Sequence, residues 1–155
     1  NKTLLVSPNY FDALKLKGVM ELYQKKYALA ISSFKNAAIN SEDSELYSLM
    51  GSAYENVPNI DSALICYTIA EQKGYQHVLL YNNLGSIYYT KGNLSKSLLY
   101  FEKALILDPT FVEGYYHKGK VLSKLGFTAG ATENWKKAKS LGYTNFTKEE
   151  LEAIK

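Results

Sequence analysis

The chain has 155 residues, 46% of them hydrophobic and 21% charged, with three prolines and a formal charge of +3. This is a globular composition with room for one core or a short array of small units, and no run approaches the ~18 apolar residues of a membrane span. All eighteen cationic side chains are lysine, and the absence of arginine, the usual reader of guanine edges and two-pronged holder of phosphate, argues against nucleic-acid binding.

Residues 1–10, NKTLLVSPNY, read as an extended lead-in marked by Pro8. TLLV is too short for a signal-peptide core and has no basic stretch before it, and an opening at Asn1 suggests a piece of a longer protein. From residue 11 onward, four units are expected, at about 11–43, 44–77, 78–111 and 112–145, each a pair of antiparallel helices of about 13 residues. Gly18, Gly51, Gly85 and Gly119 recur at spacings of 33, 34 and 34. Ala30, Ala63, Ser97 and Ala131 keep the same step, as do the aromatics Phe34, Tyr67, Phe101 and Trp135, and then Ala37, Ala70, Ala104 and Ala138. Leu14, Tyr47, Tyr81 and Tyr115 form a looser column. The one-residue shortening falls in the connection INSEDSE, where length changes are tolerated.

Within a unit the apolar residues follow helical three-and-four steps, as in Tyr81, Leu84, Tyr88 and then Leu94, Leu98, Phe101, Leu105. TKGN, NVPN and LGFT break the runs with Gly or Pro, while Gly74, Gly142 and Asp108-Pro109 end second helices. A helix pair this short cannot bury its apolar face alone and must stack on a neighbour. Glycine at a fixed point beside a large ring lets two backbones approach, which offsets its cost of roughly 1 kcal/mol within its own helix.

These residues resemble the tetratricopeptide repeat family. The third unit carries its pattern in Tyr81, Leu84-Gly85, Tyr88, Ser97, Phe101, Ala104 and Pro109; the second, in Tyr47, Met50-Gly51, Tyr54, Ala63, Tyr67 and Ala70, has Tyr75 in place of the proline. The fourth departs at Lys118 and Leu122, and the first at Lys17 and Glu21. The resemblance implies an all-α, right-handed solenoid of four helix-turn-helix units. Residues 146–155 are expected to form a C-terminal capping helix: Thr147 and Glu150 have capping-box spacing, Phe146 and Leu151 have that of a hydrophobic staple, and Leu151 and Ile154 share a face.

No nucleophile, base and orienting group come together in the pattern, and the chain reads as no enzyme, without catalytic, cofactor or metal residues. His77 and His117 lie forty residues apart with no cysteine set, and Cys66, the single cysteine, excludes an internal disulfide and is expected buried and inert. What remains is surface. The resemblance implies a concave groove lined by first helices, here Lys15 and Val19, then Ser48, Ser52 and Glu55, then Asn82, Asn83, Ser86 and Tyr89, and finally Tyr116, His117 and Lys120. Amides that bracket a backbone and tyrosines that offer area at low entropic cost suit a bound peptide.

Members that clamp an acidic chaperone tail use lysines, asparagines and an arginine at set groove positions. One register places Ser48, Ser52, Asn83, Glu113 and His117 there and the other Lys15, Val19, Leu49, Leu79 and Asn83, so that mode is disfavoured. Charge is uneven: no lysine lies between Asn36 and Gln72, whereas Lys118, Lys120, Lys124, Lys136, Lys137 and Lys139 crowd the stretch from Val112 to Gly142. Such asymmetry suits a dipolar partner or head-to-tail self-association. The expected function is a scaffold that binds a peptide or partner protein in its groove, with self-assembly within a larger protein as the alternative. A cytoplasmic and a periplasmic setting fit equally.

Overall fold

The computed structural model describes residues 8–39 and 41–155; among these there are nine helices and no strand. In chain order they are α1 (Pro8–Tyr23), α2 (Tyr27–Ala37), α3 (Ser44–Asn56), α4 (Ile60–Gln72), α5 (Val78–Thr90), α6 (Leu94–Leu107), α7 (Val112–Lys124), α8 (Thr128–Ser140) and α9 (Lys148–Ala153). Proline is favoured as the first helical residue, where its missing N–H costs nothing, and α1 begins at Pro8. Residues 8–10, expected to be extended, are therefore helical; residues 1–7 of the lead-in lie outside the described residues.

Two compact units divide at Tyr75 and Gln76. In the first, α1 pairs with α2 and α3 with α4, and α2 packs on α3. In the second, α5 pairs with α6 and α7 with α8, α6 packs on α7, and α9 lies against α8.

The recurring columns form the contact between paired helices. Phe34, Tyr67, Phe101 and Trp135 are buried, each against the glycine sixteen residues before it. A β-carbon built on Gly18, Gly51, Gly85 or Gly119 would approach the facing ring to 2.5, 2.5, 2.7 and 2.4 Å, so no larger residue fits without displacing an aromatic. The small column is fully buried as well, and its odd member is satisfied: Ser97 Oγ donates to the Gly85 carbonyl at 2.8 Å. Glu21, which breaks the aromatic pattern in the first unit, accepts a 2.6 Å hydrogen bond from Ser33 Oγ. Lys118, at an apolar position in the fourth, pairs with Glu102 at 2.9 Å.

Local signals start and stop the helices. Asp43, Asn59 and Asn93 each accept from the backbone N–H three residues on, at 3.1 Å, capping groups that helix starts otherwise leave unsatisfied. Gly74 and Gly142 close α4 and α8 at φ +84° and +103°, and the N–H groups of Tyr75 and Tyr143 donate back to the carbonyls of Ala70 and Ala138 at 2.9 and 3.0 Å.

α9 has the expected capping box, with Glu150 N–H donating to Thr147 Oγ1 at 3.2 Å and Thr147 N–H to Glu150 Oε2 at 2.8 Å. Phe146 meets Tyr116 and Tyr143 edge-on, at centroid distances of 5.8 and 4.8 Å. Leu151 stays 41% exposed while Ile154, at 5%, joins that aromatic cluster, so the two leucine-like residues do not share a buried face.

Candidate functional site

In the first unit the expected groove residues Lys15 and Val19 lie on α1 and Ser48, Ser52 and Glu55 on α3, all partly exposed. Two of them already have partners. Lys15 Nζ reaches Asp43 Oδ2 at 2.8 Å and Glu45 Oε2 at 2.6 Å. Burial works against the ammonium, but the bonds and charges of those two carboxylates outweigh it and hold its pKa above the usual lysine range. Glu55 accepts from the buried hydroxyl of Tyr67; burial raises its pKa, with that hydroxyl opposing. Lys73 likewise pairs with Glu42. The lysine-free stretch is thus partly neutralised by lysines on either side of it.

The second unit is more open. α5 presents Asn82, Asn83, Ser86 and Tyr89, and α7 presents His117 and Lys120, all partly exposed. Tyr116 does not belong with them: it is only 8% exposed, its ring stacks on Tyr143 at 4.1 Å, and Trp135 Nε1 donates to its carbonyl at 3.2 Å. The cap cluster takes this side chain because ring-on-ring packing is worth more than exposure.

Between α5 and α7 lies a cleft of about 280 Å³ lined by Ser86, Tyr89, Thr90, Phe101, His117 and Lys120. His117 stacks on Phe101 at 5.3 Å and forms part of its floor. Burial, and then the Lys120 ammonium, hold the imidazole pKa below its ordinary value, with Glu113 opposing, so the ring is neutral at neutral pH. A second cleft, of about 400 Å³, shares Tyr89 and Lys120 and is bounded by Lys124, Trp135, Thr147 and Glu149. Lys124 Nζ lies 4.7 Å and Lys120 Nζ 5.5 Å from the Tyr89 ring centroid, and Lys120 is also 5.6 Å from that of Tyr116. Among the described residues neither ammonium is within ion-pair distance of a carboxylate. Thr90 lies outside the sequence expectation, and Lys124 enters it only as part of the lysine-rich stretch, not as a groove residue. Lys124 follows Lys120 by one helical turn, the spacing that places both on one face.

Among the described residues no three His, Cys, Asp or Glu side chains gather as a metal site would require, and no helix is long and apolar enough to cross a membrane. Cys66 is buried, and burial pushes its thiol pKa up to about 11, with Lys35 opposing.

Helix hairpins that nest a glycine against an aromatic and pack on the next hairpin in series have the architecture of tetratricopeptide repeats. The tetratricopeptide repeat model matches residues 78–111, the span of α5, α6 and the turn that follows. The chain therefore carries a tetratricopeptide repeat there, and its helix pairs have that fold. Among solved structures, MamA is similar with a TM-score of 0.80 at 24% identity, over 99% of this chain and 86% of that one. YrrB, described as a TPR protein with an unusual peptide-binding site, gives 0.77 at 16%, over 83% and 67%. The first TPR of Spaghetti (RPAP3), bound to the HSP90 peptide SRMEEVD, gives 0.73 at 21%, over 79% and 98%. At these identities the likeness is one of fold. No curated protein matches the chain in sequence.

Proposed function

We propose that this chain is a non-catalytic binding module that holds an extended peptide or partner segment on the first-helix face of its repeats. The observation that carries this reading is the open face of α5 and α7, where Ser86, Tyr89, His117 and Lys120 converge on one cleft. Lys15 and Glu55 are committed to partners within their own unit, so the face of the second unit is the better candidate, with Ser86 and Tyr89 on its α5 side. Two of the similar folds are described with a bound peptide or a peptide-binding site, which supports the same use of the fold here. The chaperone-tail clamp remains disfavoured, because Glu113 occupies a position where that mode needs a cation.

A photo-crosslinking amino acid at Ser86, compared with one at the exposed Ser95 of α6, tests the proposal in extracts of the native cell. The Ser86 probe should capture a discrete polypeptide that excess unmodified chain competes away. Equal capture at Ser95 would contradict the reading.

A second reading, self-association, rests on α1. Leu16, Met20 and Tyr23 are 62%, 54% and 84% exposed and follow one another on its surface. The register counterparts of Met20, namely Ala53, Ile87 and Val121, are all buried. Light scattering that shows a monomer at every concentration would remove this reading.

A further inference from the structure

Two junctions pack a second helix on the first helix that follows it, α2 on α3 and α6 on α7. In both, the covered stripe runs at i, i+4 and i+7. On α3 it is Leu46, Met50 and Ala53, which are 0%, 6% and 0% exposed and share a core with Ala30, Ile31, Phe34 and Ala37 of α2. On α7 it is Gly114, Lys118 and Val121. A β-carbon on Gly114 would lie 2.9 Å from Leu105 Cδ2 of α6, Lys118 pairs with Glu102 of α6 at 2.9 Å, and Val121 is buried. The counterparts on α5, Leu80, Leu84 and Ile87, are buried too. The same register on α1 gives Ala13, Lys17 and Met20, and all three are exposed, with Met20 at 54% and the Lys17 side chain at 64%. Leu16 beside them is 62% exposed. α1 therefore keeps the contact stripe of a first helix, and among the described residues no helix covers it.

The middle of the stripe constrains what a covering helix carries. In chain order that column reads Lys17, Met50, Leu84 and Lys118. The α2 residue in register with Glu102 is Lys35, at the junction whose middle residue is the uncharged Met50. Where the middle residue is a lysine, the second helix supplies a carboxylate, and Lys118 is 24% exposed in that pair. Lys17 has Glu21 at 3.9 Å, but the other oxygen of that carboxylate accepts from Ser33 Oγ at 2.6 Å and holds it on its own hairpin. A second α1 would offer the middle of the stripe another lysine instead of a carboxylate, and bringing two like charges together out of water is costly.

We infer that the Ala13, Lys17 and Met20 face of α1 docks an amphipathic helix of a partner protein, apolar at i and i+7 with a carboxylate at i+4 that pairs with Lys17. The helix runs antiparallel to α1, as α6 runs to α7, where Leu105 meets Gly114 and the earlier Glu102 meets the later Lys118. Ala13, Leu16 and Met20 supply the apolar contact, and the ion pair sets the register. This site goes beyond the groove reading and does not rest on it. It competes with self-association through α1, and the test separates the two.

Fluorescence anisotropy with the whole chain uses as probe a labelled peptide of the α6 sequence, residues 94–107, in which Leu98, Glu102 and Leu105 have the required spacing. The peptide is stapled on its far side, because a free helix of that length is marginal. It should bind about fivefold more tightly than its E102Q form, a difference that shrinks with salt. K17E should weaken the probe and rescue an E102K form of it, an exchange that misfolding cannot produce. M20E should weaken binding by about tenfold, and K139Q on α8 should leave it within about twofold. No binding of the probe, equal binding of its E102Q form, or no rescue on charge exchange would each overturn the inference. A photo-crosslinker at Met20 in extracts of the native cell reads the source of the helix: a separate polypeptide is expected, captured less when the chain also carries K17E. A crosslink to residues of the same chain would make the occupant internal. Light scattering that shows self-association abolished by M20E would make it a second copy. Either result would overturn the inference. Ser86 crosslinking reads the groove by itself, so the two readings fail separately.

Discussion

A β-carbon on Gly85 would stand 2.7 Å from Cε1 of Phe101, a ring with no room to retreat because it is itself buried. Gly85→Leu should therefore destabilise the chain by about 1–3 kcal/mol, through overpacking, in a urea unfolding curve; an unchanged midpoint would contradict the nesting of glycine against aromatic. This column was legible in the sequence because its two halves recur together: sixteen residues after each of Gly18, Gly51, Gly85 and Gly119 stands a large ring. Tyr116 was not legible. Its helix register resembles that of the groove residues, and only the rings of Tyr143 and Phe146, contributed from beyond α8, turn it inward. His117 yields a pH prediction. Burial and then Lys120 place its pKa in the folded chain below the value near 6.5 of an unfolded histidine, with Glu113 opposing. Between those values the unfolded chain binds more protons than the folded one. The stability this site contributes is complete above pH ~6.5 and is lost on acidification through that window. Denaturant curves at pH 7.5 and pH 5 should show a loss in wild type that is smaller in His117→Gln; an equal loss in both would assign it elsewhere.

The helices themselves were largely readable, since three-and-four spacing, Asn or Asp at helix starts and glycine at helix ends are local signals. The hairpin turns show one place where the local signal is missing. Gly92 and Gly126 turn their hairpins at φ +76° and +86°, and in the first unit the same register position is Lys25, at φ +59°. A side chain in this left-handed region costs roughly 1–2 kcal/mol. Lys25→Gly should accordingly raise stability by up to about 1 kcal/mol once the extra freedom of glycine in the unfolded chain is set against it, seen as a higher melting temperature. A lower one would mean that the lysine stem contributes packing that outweighs the strain. The end of α9 is the opposite case. Leu151 and Ile154 have the spacing of one face, yet Ile154 is buried in the aromatic cluster with Phe146 packed against it, while Leu151 remains 41% exposed. Spacing identifies which contacts are permitted, and tertiary partners decide among them.

At the scale of the whole molecule, repetition made the fold legible and singularity hid the site. Every repeat must solve the same packing problem, so its solution appears four times in the chain. A binding face is solved once, from residues that no other repeat echoes: Lys120 and Lys124 have Ser86 and Thr90 as counterparts one repeat earlier, and Ser52 and Asn56 two repeats earlier. The charge asymmetry was visible, but its reading changes with structure. Lys15 and Lys73 cover part of the acidic stretch of the first unit, whereas Lys120 and Lys124 remain free of carboxylates among the described residues. The most direct test of the account is an amide chemical-shift titration of the whole chain with the partner captured by the Ser86 crosslink. The shifts are expected to cluster at Ser86, Tyr89, His117, Lys120 and Lys124; shifts confined to α6 and α8, or spread without a focus, would contradict it.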